Sequence, residues 1–249
     1  MREVVPRVRV DGVSVDALAL DGLLHRVGEF IAAGTPRTIA YVNVHVLNVA
    51  AGDAALLTFL NAVDVCYADG NGVVLAARLL RQHLPGRMTG ADWIHDLAAR
   101  AAANGWRIAW IGGKPGVTER AAAVLLAENP GVNFVLTDHG FYPPGPEHDA
   151  LIARLAAASA DIVLVGMGTP IQERWVAANR ERIAAPIVWC VGATADFVSG
   201  EVSRGPKLLY SNQEWVARLL SDPRRFWRRF LVGNPVFLAR VLRERIARA

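Results

Sequence analysis

Apolar positions recur along the chain in two rhythms. Short runs rich in β-branched residues, at 38–42, 64–68, 107–111, 132–136, 161–165 and 187–191, have strand length and are apolar almost throughout. The longer stretches between them repeat apolar residues at helical spacing. They predict helices over 16–33, 45–61, 72–82, 91–103, 117–128, 147–158 and 172–183. Strands that are apolar on both sides, alternating with helices, imply a parallel sheet covered on both faces. The Pro- and Gly-rich stretch 141–146 is a turn rather than a boundary, and neither an internal repeat nor a low-complexity linker interrupts the pattern. After about residue 200 the alternation stops, and helices are expected over 206–220, 222–232 and 235–247. The fold class is therefore α/β: a Rossmann-like body over 1–200 and a helical, basic C-terminal appendage over 201–249.

The predicted strand ends collect the glycine and polar residues. Asn43 follows the first strand, Asp69-Gly70-Asn71-Gly72 the second and Gly112-Gly113-Lys114-Pro115-Gly116 the third. His139-Gly140-Phe141-Tyr142, Gly166-Met167-Gly168-Thr169-Pro170 and the segment 192–196 follow the others. In an open parallel sheet all these ends lie on one edge, where ligands bind. Six sequence-distant segments should thus converge on one crevice.

Composition narrows the classes. In 249 residues, 53% are hydrophobic and 20% charged, which excludes a disordered chain. No run of about 18 uncharged apolar residues could span a bilayer, and the N-terminus carries no apolar signal-peptide core, so a cytoplasmic location is expected. Cys66 and Cys190 both lie in apolar runs and read as buried, reduced thiols. The net charge of +4 is unevenly spread: residues 204–249 hold eleven basic and three acidic residues. A basic end on an acidic body suits an anionic partner: nucleic acid, an anionic lipid surface or a diphosphate.

Candidate chemistry is first narrowed by what is missing. Gly166-Met167-Gly168 lacks the third glycine of a dinucleotide fingerprint, and no phosphate loop of the GxxxxGK[ST] type occurs. There is no Asp-x-Asp, no zinc-spaced His/Cys cluster and no GxSxG elbow, so metal and hydrolase readings lack their ligands or nucleophile. Asp69, between a strand and a helix and beside two glycines, is either a helix-capping aspartate or a functional carboxylate. Asn43 can cap the helix that follows it, Arg87 lies in a loop after Leu84-Pro85-Gly86, and Gln172 opens a helix.

Taken in order, these segments resemble the WecG/TagA/CpsF family of bacterial glycosyltransferases. The stretches that carry the resemblance are Ala68-Asp69-Gly70-Asn71-Gly72, Arg87-Met88-Thr89-Gly90-Ala91-Asp92, Ile111-Gly112-Gly113-Lys114-Pro115-Gly116 and Gly140-Phe141-Tyr142. Further on come Gly166-Met167-Gly168-Thr169-Pro170-Ile171-Gln172-Glu173-Arg174-Trp175, Gly192-Ala193-Thr194-Ala195-Asp196-Phe197, Arg204-Gly205-Pro206 and Glu214-Trp215-Val216-Ala217-Arg218-Leu219. The resemblance implies an inverting, metal-independent transfer from a UDP-sugar to a polyprenyl-diphosphate-linked sugar, at the cytoplasmic membrane face, in surface polysaccharide synthesis. UDP-N-acetylmannosamine or a related hexose is the implied donor. No cofactor is implied, and a homo-oligomer is compatible with the family. By the same resemblance Asp69 is the general base, with Asn43, Arg87 and Gln172 in its pocket. Gly112, Gly113, Phe141 and Asp196 fall on the substrate or nucleotide side, and Arg218, Arg225 and Arg228 of the C-terminal segment complete the site. Two departures stand out: Tyr41 replaces the usual Thr two positions before Asn43, and Ile171 replaces a common Lys before Gln172-Glu173.

Helical spacing in the segment from Ser221 puts Phe226, Trp227, Phe230 and Leu231 on one face and Arg224, Arg225, Arg228 and Arg229 on the other. Gly233-Asn234-Pro235 is expected to end that helix. The apolar face either packs on the body or lies on a membrane surface with arginines at the headgroups. A competing class is a nucleotide- or RNA-binding regulatory protein whose basic, aromatic tail contacts phosphates and bases.

Overall fold

The computed structural model describes residues 5–202, 224 and 227–248. A small antiparallel hairpin comes first: β1 (Arg7–Val10) and β2 (Val13–Asp16), with Val8, Val10, Val13 and Val15 turned inward. Its turn is Asp11-Gly12, with φ of 50° and 85°, the mirror-type turn whose twist suits two strands. The helix expected over 16–33 is therefore corrected at its start. Asp16 ends β2, where its carboxylate pairs with Arg7 and accepts the backbone N–H of Cys66 at 2.8 Å, and α1 runs Leu20–Ala33.

The body is a six-stranded, all-parallel sheet in the order β4-β3-β8-β7-β5-β6. The strands are β3 (Arg37–Val42), β4 (Val65–Ala68), β5 (Arg107–Gly112), β6 (Asn133–Asp138), β7 (Ile162–Gly166) and β8 (Ile187–Cys190). All six strand predictions fall on them within two residues. One face is covered by α1, α5 (Gly90–Asn104), α6 (Val117–Glu128) and α9 (Thr194–Val198), which pack with Ile39, Tyr67, Trp110 and Trp189. The other is covered by the hairpin, α2 (Val44–Ala50), α3 (Ala54–Ala62), α4 (Asn71–Leu79), α7 (Pro146–Ala158) and α8 (Ile171–Asn179), packing with Ala40, Val42, Val165 and Cys190. The single helix expected over 45–61 is two, because Asp53 starts a new one by accepting the Leu56 N–H at 3.0 Å.

Two features of this topology build the site. β3 and β4 pair with Tyr41 beside Tyr67 and Val42 beside Ala68, so Asn43 and Asp69 leave the sheet side by side. β3 and β8 are also neighbours, but α2 follows β3 on one face and α9 follows β8 on the other. Chain leaving in opposite directions opens a crevice between their carboxyl ends.

The C-terminal region also differs from expectation. A π-helical turn, Arg228–Val232, runs directly into α10 (Gly233–Ala247). Gly233-Asn234-Pro235 does not stop the helix: Gly233 is itself helical, with φ −64° and ψ −40°. A Cβ there would come within 2.8 Å of Asn48 Nδ2, which donates to the Gly233 carbonyl at 2.9 Å, so the glycine serves close packing. Pro235 sits in the first turn of α10, where the missing N–H costs little. α10 buries Phe237 and Val241 in the same core as α2, α4 and the hairpin. Arg240 reaches Asp11 at 2.7–3.0 Å and Asn48 at 2.7 Å. No helix among the described residues is long and apolar enough to cross a membrane.

Candidate active site

Two cavities open at the carboxyl edge of the sheet. The larger, about 690 Å³, lies between α4, the start of α2 and the π-turn leading into α10. Its wall is mostly apolar, with Val74, Leu75, Leu79, Phe230, Phe237 and Leu238. The smaller, about 260 Å³, lies over the ends of β3, β4, β7 and β8 and is lined by Tyr41, Tyr67, Gly168, Thr169, Gly192 and Thr194 among others. Five residues line both: Asn43, His45, Asp69, Thr89 and Arg229. Asp69 is the one carboxylate among the described lining residues of either cavity.

The local chemistry of Asp69 separates its two sequence readings. The N-cap of α4 is Gly70, with φ 91° and no side-chain capping bond, so Asp69 does not cap that helix. Its backbone N–H donates to the Val42 carbonyl at 2.8 Å, which fixes the residue against β3. Its Oδ2 accepts from Asn43 Nδ2 at 3.0 Å. Asn43 does double duty, since its Oδ1 also accepts the Val46 N–H at 3.0 Å and caps α2. Capping immobilises the asparagine, and the asparagine in turn orients the carboxylate.

The other described residues that line the two cavities are positive or neutral. Arg87 enters the larger cavity because the Met88 N–H donates to the Ala68 carbonyl at 2.9 Å, drawing the 87–89 segment along the end of β4. Its guanidinium donates to Thr89 Oγ1 at 2.8 Å. His45 is pushed down to about 4, chiefly by burial and then by the Arg229 charge, so its imidazole is neutral at pH 7. Burial, reinforced by the nearby carboxylates of Glu173 and Asp69, raises Tyr41, so its phenol keeps its proton.

The other expected site residues fall into three groups. Gln172 is fully buried and lines neither cavity: its Oε1 accepts the Gly192 N–H at 3.0 Å and its Nε2 donates to Glu173 at 2.8 Å. It ties the turn after β7 to the turn after β8, and so acts on the crevice through its frame. Gly112, Gly113, Phe141 and Asp196 also line neither cavity. A Cβ on Gly112 would lie 2.2 Å from the Gly166 carbonyl oxygen, so this glycine lets β5 and β7 approach. Phe141 is exposed in the loop after β6, and the Asp196 carbonyl accepts the Val202 N–H. Of the arginines, Arg218 and Arg225 lie outside the described residues. Arg228 is exposed, with its guanidinium 5.3 Å from the Trp227 ring centroid, whereas its neighbour Arg229 lines both cavities.

Arg229 and His45 were not singled out from the sequence. Ideal helical spacing grouped Arg229 with the arginines opposite the apolar face, but at the π-turn Arg229 lines both cavities and shares the wall of the larger with Phe230. The expected apolar face is split accordingly. Phe230 lines the larger cavity, while Trp227 and Leu231 are exposed and Phe226 lies outside the described residues.

Two cavities that share one oriented carboxylate thus open at the carboxyl edge of the parallel sheet of an α/β protein. The chain matches the model of the glycosyl transferase WecG/TagA/CpsF family over residues 8–249, nearly its whole length. It belongs to that family and is a glycosyltransferase.

Proposed function

We propose that this glycosyltransferase moves a sugar from a UDP-sugar to a polyprenyl-diphosphate-linked sugar in surface polysaccharide synthesis, by a single displacement with Asp69 as base. The observation that carries this is the meeting of the two cavities at Asp69. The smaller cavity, walled by strand-end glycines, suits the donor. The larger cavity, with its apolar wall, suits an acceptor that arrives attached to a lipid. The acceptor hydroxyl oxygen attacks the anomeric carbon, forming the new C–O bond as the bond to the UDP oxygen breaks. Its proton passes to Asp69, and UDP leaves with the electron pair. Attack opposite the leaving group inverts the anomeric centre. Proton removal matters late in the step, because a carboxylate is far weaker than the alkoxide it would have to generate.

The departing diphosphate needs positive charge. Among the described residues no three His, Cys, Asp or Glu side chains are grouped to hold a metal ion, whereas Arg87 and Arg229 both border the site. Guanidinium groups pair with phosphate oxygens in a bidentate fashion and are the groups assigned here. Leu238, Leu242 and Ile246, at i, i+4 and i+8 of α10, are exposed beside the larger cavity's wall, together with Leu75 and Val236. This apolar stripe supports peripheral attachment to the inner face of the plasma membrane, where a lipid-linked acceptor would be presented.

The test is to incubate the protein with a panel of UDP-sugars and a short-chain lipid diphosphate-sugar, with and without EDTA, and to weigh the products. One added hexose unit, formed in both conditions, is expected. No product from any UDP-sugar overturns the donor assignment, and loss in EDTA restored by Mg²⁺ or Mn²⁺ overturns the metal-free step.

A further inference from the structure

The structure puts Tyr41 in the lining of the smaller cavity, where it has consequences. From the end of β3 its side chain reaches across β8 toward the turn after β7. A Cβ built on Gly192, after β8, would lie 2.4 Å from the Tyr41 hydroxyl, and Thr169, after β7, lines the same cavity. The ring packs against Tyr67, centroids 6.3 Å apart, and Tyr67 in turn sits edge-on to the stacked Trp93–Trp189 pair. The tyrosine is thus a fixed part of the cavity floor.

The groups behind the floor fix its polarity. Thr169 Oγ1 donates to Glu173 Oε1 at 2.7 Å, and Gln172 Nε2 donates to the same oxygen at 2.8 Å. Glu173 is 1% exposed, and its second oxygen has no hydrogen-bond partner among the described residues. With the Thr169 proton committed to Glu173, Thr169 can only accept from Tyr41 or from a ligand. Two tyrosines line this cavity of about 260 Å³, at the small end for a nucleotide-bearing ligand, and because Tyr67 is 1% exposed the accessible phenol of the floor is that of Tyr41. A group bound over Asp69 in this cavity is in reach of that phenol.

We propose that Tyr41 is a specificity-determining residue that selects the donor sugar, by hydrogen-bonding the hexose at the cavity floor and limiting the bulk of its ring substituents. This rests on the assignment of the smaller cavity to the UDP-sugar. The diphosphate of the donor is assigned to Arg87 and Arg229 rather than to Tyr41, so UDP affinity is a separate readout. A residue of this kind changes the ratio between donors, while one that only supports the fold changes all donors alike.

The experiment compares the wild type, Tyr41→Phe and Tyr41→Thr. Each is given UDP-hexoses and UDP-N-acetylhexosamines singly, with kcat/KM measured for each donor and UDP affinity by titration. If a variant is too slow to assay, displacement of bound UDP by each UDP-sugar supplies the ranking. Removing the hydroxyl alone should change the ratio between the best and second donor by about 3–10-fold, the worth of one neutral hydrogen bond. Tyr41→Thr, which also empties the floor, should shift preference toward the bulkier N-acetylated donors. UDP affinity should stay within about twofold in both variants. An unchanged donor ranking in both overturns the proposal while leaving the donor assignment standing. A wild type that neither binds UDP nor is blocked by it overturns the donor assignment, and this proposal with it.

Discussion

Asp69→Asn is the sharpest perturbation of this site, because the structure limits what else it can change. The amide has nearly the same shape, and its oxygen can still accept from Asn43 Nδ2, now at 3.0 Å from the carboxylate. Gly70, not Asp69, caps α4, and the bond from the Asp69 N–H to Val42 belongs to the backbone, so neither is lost. Stability should move by less than about 0.5 kcal/mol, as at sites where no packing or capping is lost. What disappears is the proposed base. General-base catalysis is worth about 10²–10⁴ in rate, or roughly 3–5 kcal/mol of barrier. The assay is steady-state transfer to a lipid-linked acceptor, with UDP titrated separately and the melting temperature recorded. The expected result is turnover reduced by two to four orders of magnitude at near-wild-type UDP affinity and melting temperature. A variant that keeps more than about a third of wild-type turnover would refute the reasoning, since a base in the transition state cannot be so dispensable.

Arg229→Gln should lower kcat/KM by about 10–100-fold at unchanged melting temperature, if its guanidinium meets the diphosphate or sugar as assigned. Arg228→Gln, on the exposed side of the same turn, should do far less, and equal losses would contradict the placement. Burial raises Glu173 above its ordinary value, so between the unfolded and the folded values the native state still holds a proton that the unfolded chain has released. Wild-type stability should therefore fall as pH rises through the folded value. Glu173→Gln keeps the oxygen that accepts from Thr169 and Gln172, so it should melt higher than wild type at pH 8 and converge with it near pH 5. Identical pH profiles of the two proteins would show that Glu173 is not a strained carboxylate. Replacing Leu242 and Ile246 together by Asp should weaken flotation with anionic vesicles without altering UDP affinity, and unchanged flotation would remove α10 as the contact surface.

What the sequence makes legible follows from the physics of each element. The central strands are apolar on both sides because both faces of the sheet are covered, so they stand out as runs. The β1–β2 hairpin had its own signal, Val8, Val10, Val13 and Val15 alternating around Asp11-Gly12, which the helical spacing that follows obscured. The convergence of Asn43 and Asp69 needed only the strand ends and the rule that they share an edge, whereas Arg87, in a loop after Leu84-Pro85-Gly86, was tied to them only by the family resemblance. Arg229 was out of reach because its direction depends on a π-turn, and an ideal helical period places it on the opposite side. The glycines after β5 also have a role that the sequence does not show: Gly112 permits the close approach of β5 and β7.

The most direct test of the central claim is the anomeric configuration of the product. In the proposed mechanism, with one carboxylate shared by the two cavities, the acceptor oxygen displaces UDP in a single step from the opposite side. NMR of the product from a donor of known configuration should therefore show the inverted anomer, at wild-type rates with Asp69 and only in trace with Asp69→Asn. A product that keeps the donor's configuration would require a covalent or front-side route and would contradict the role given to Asp69.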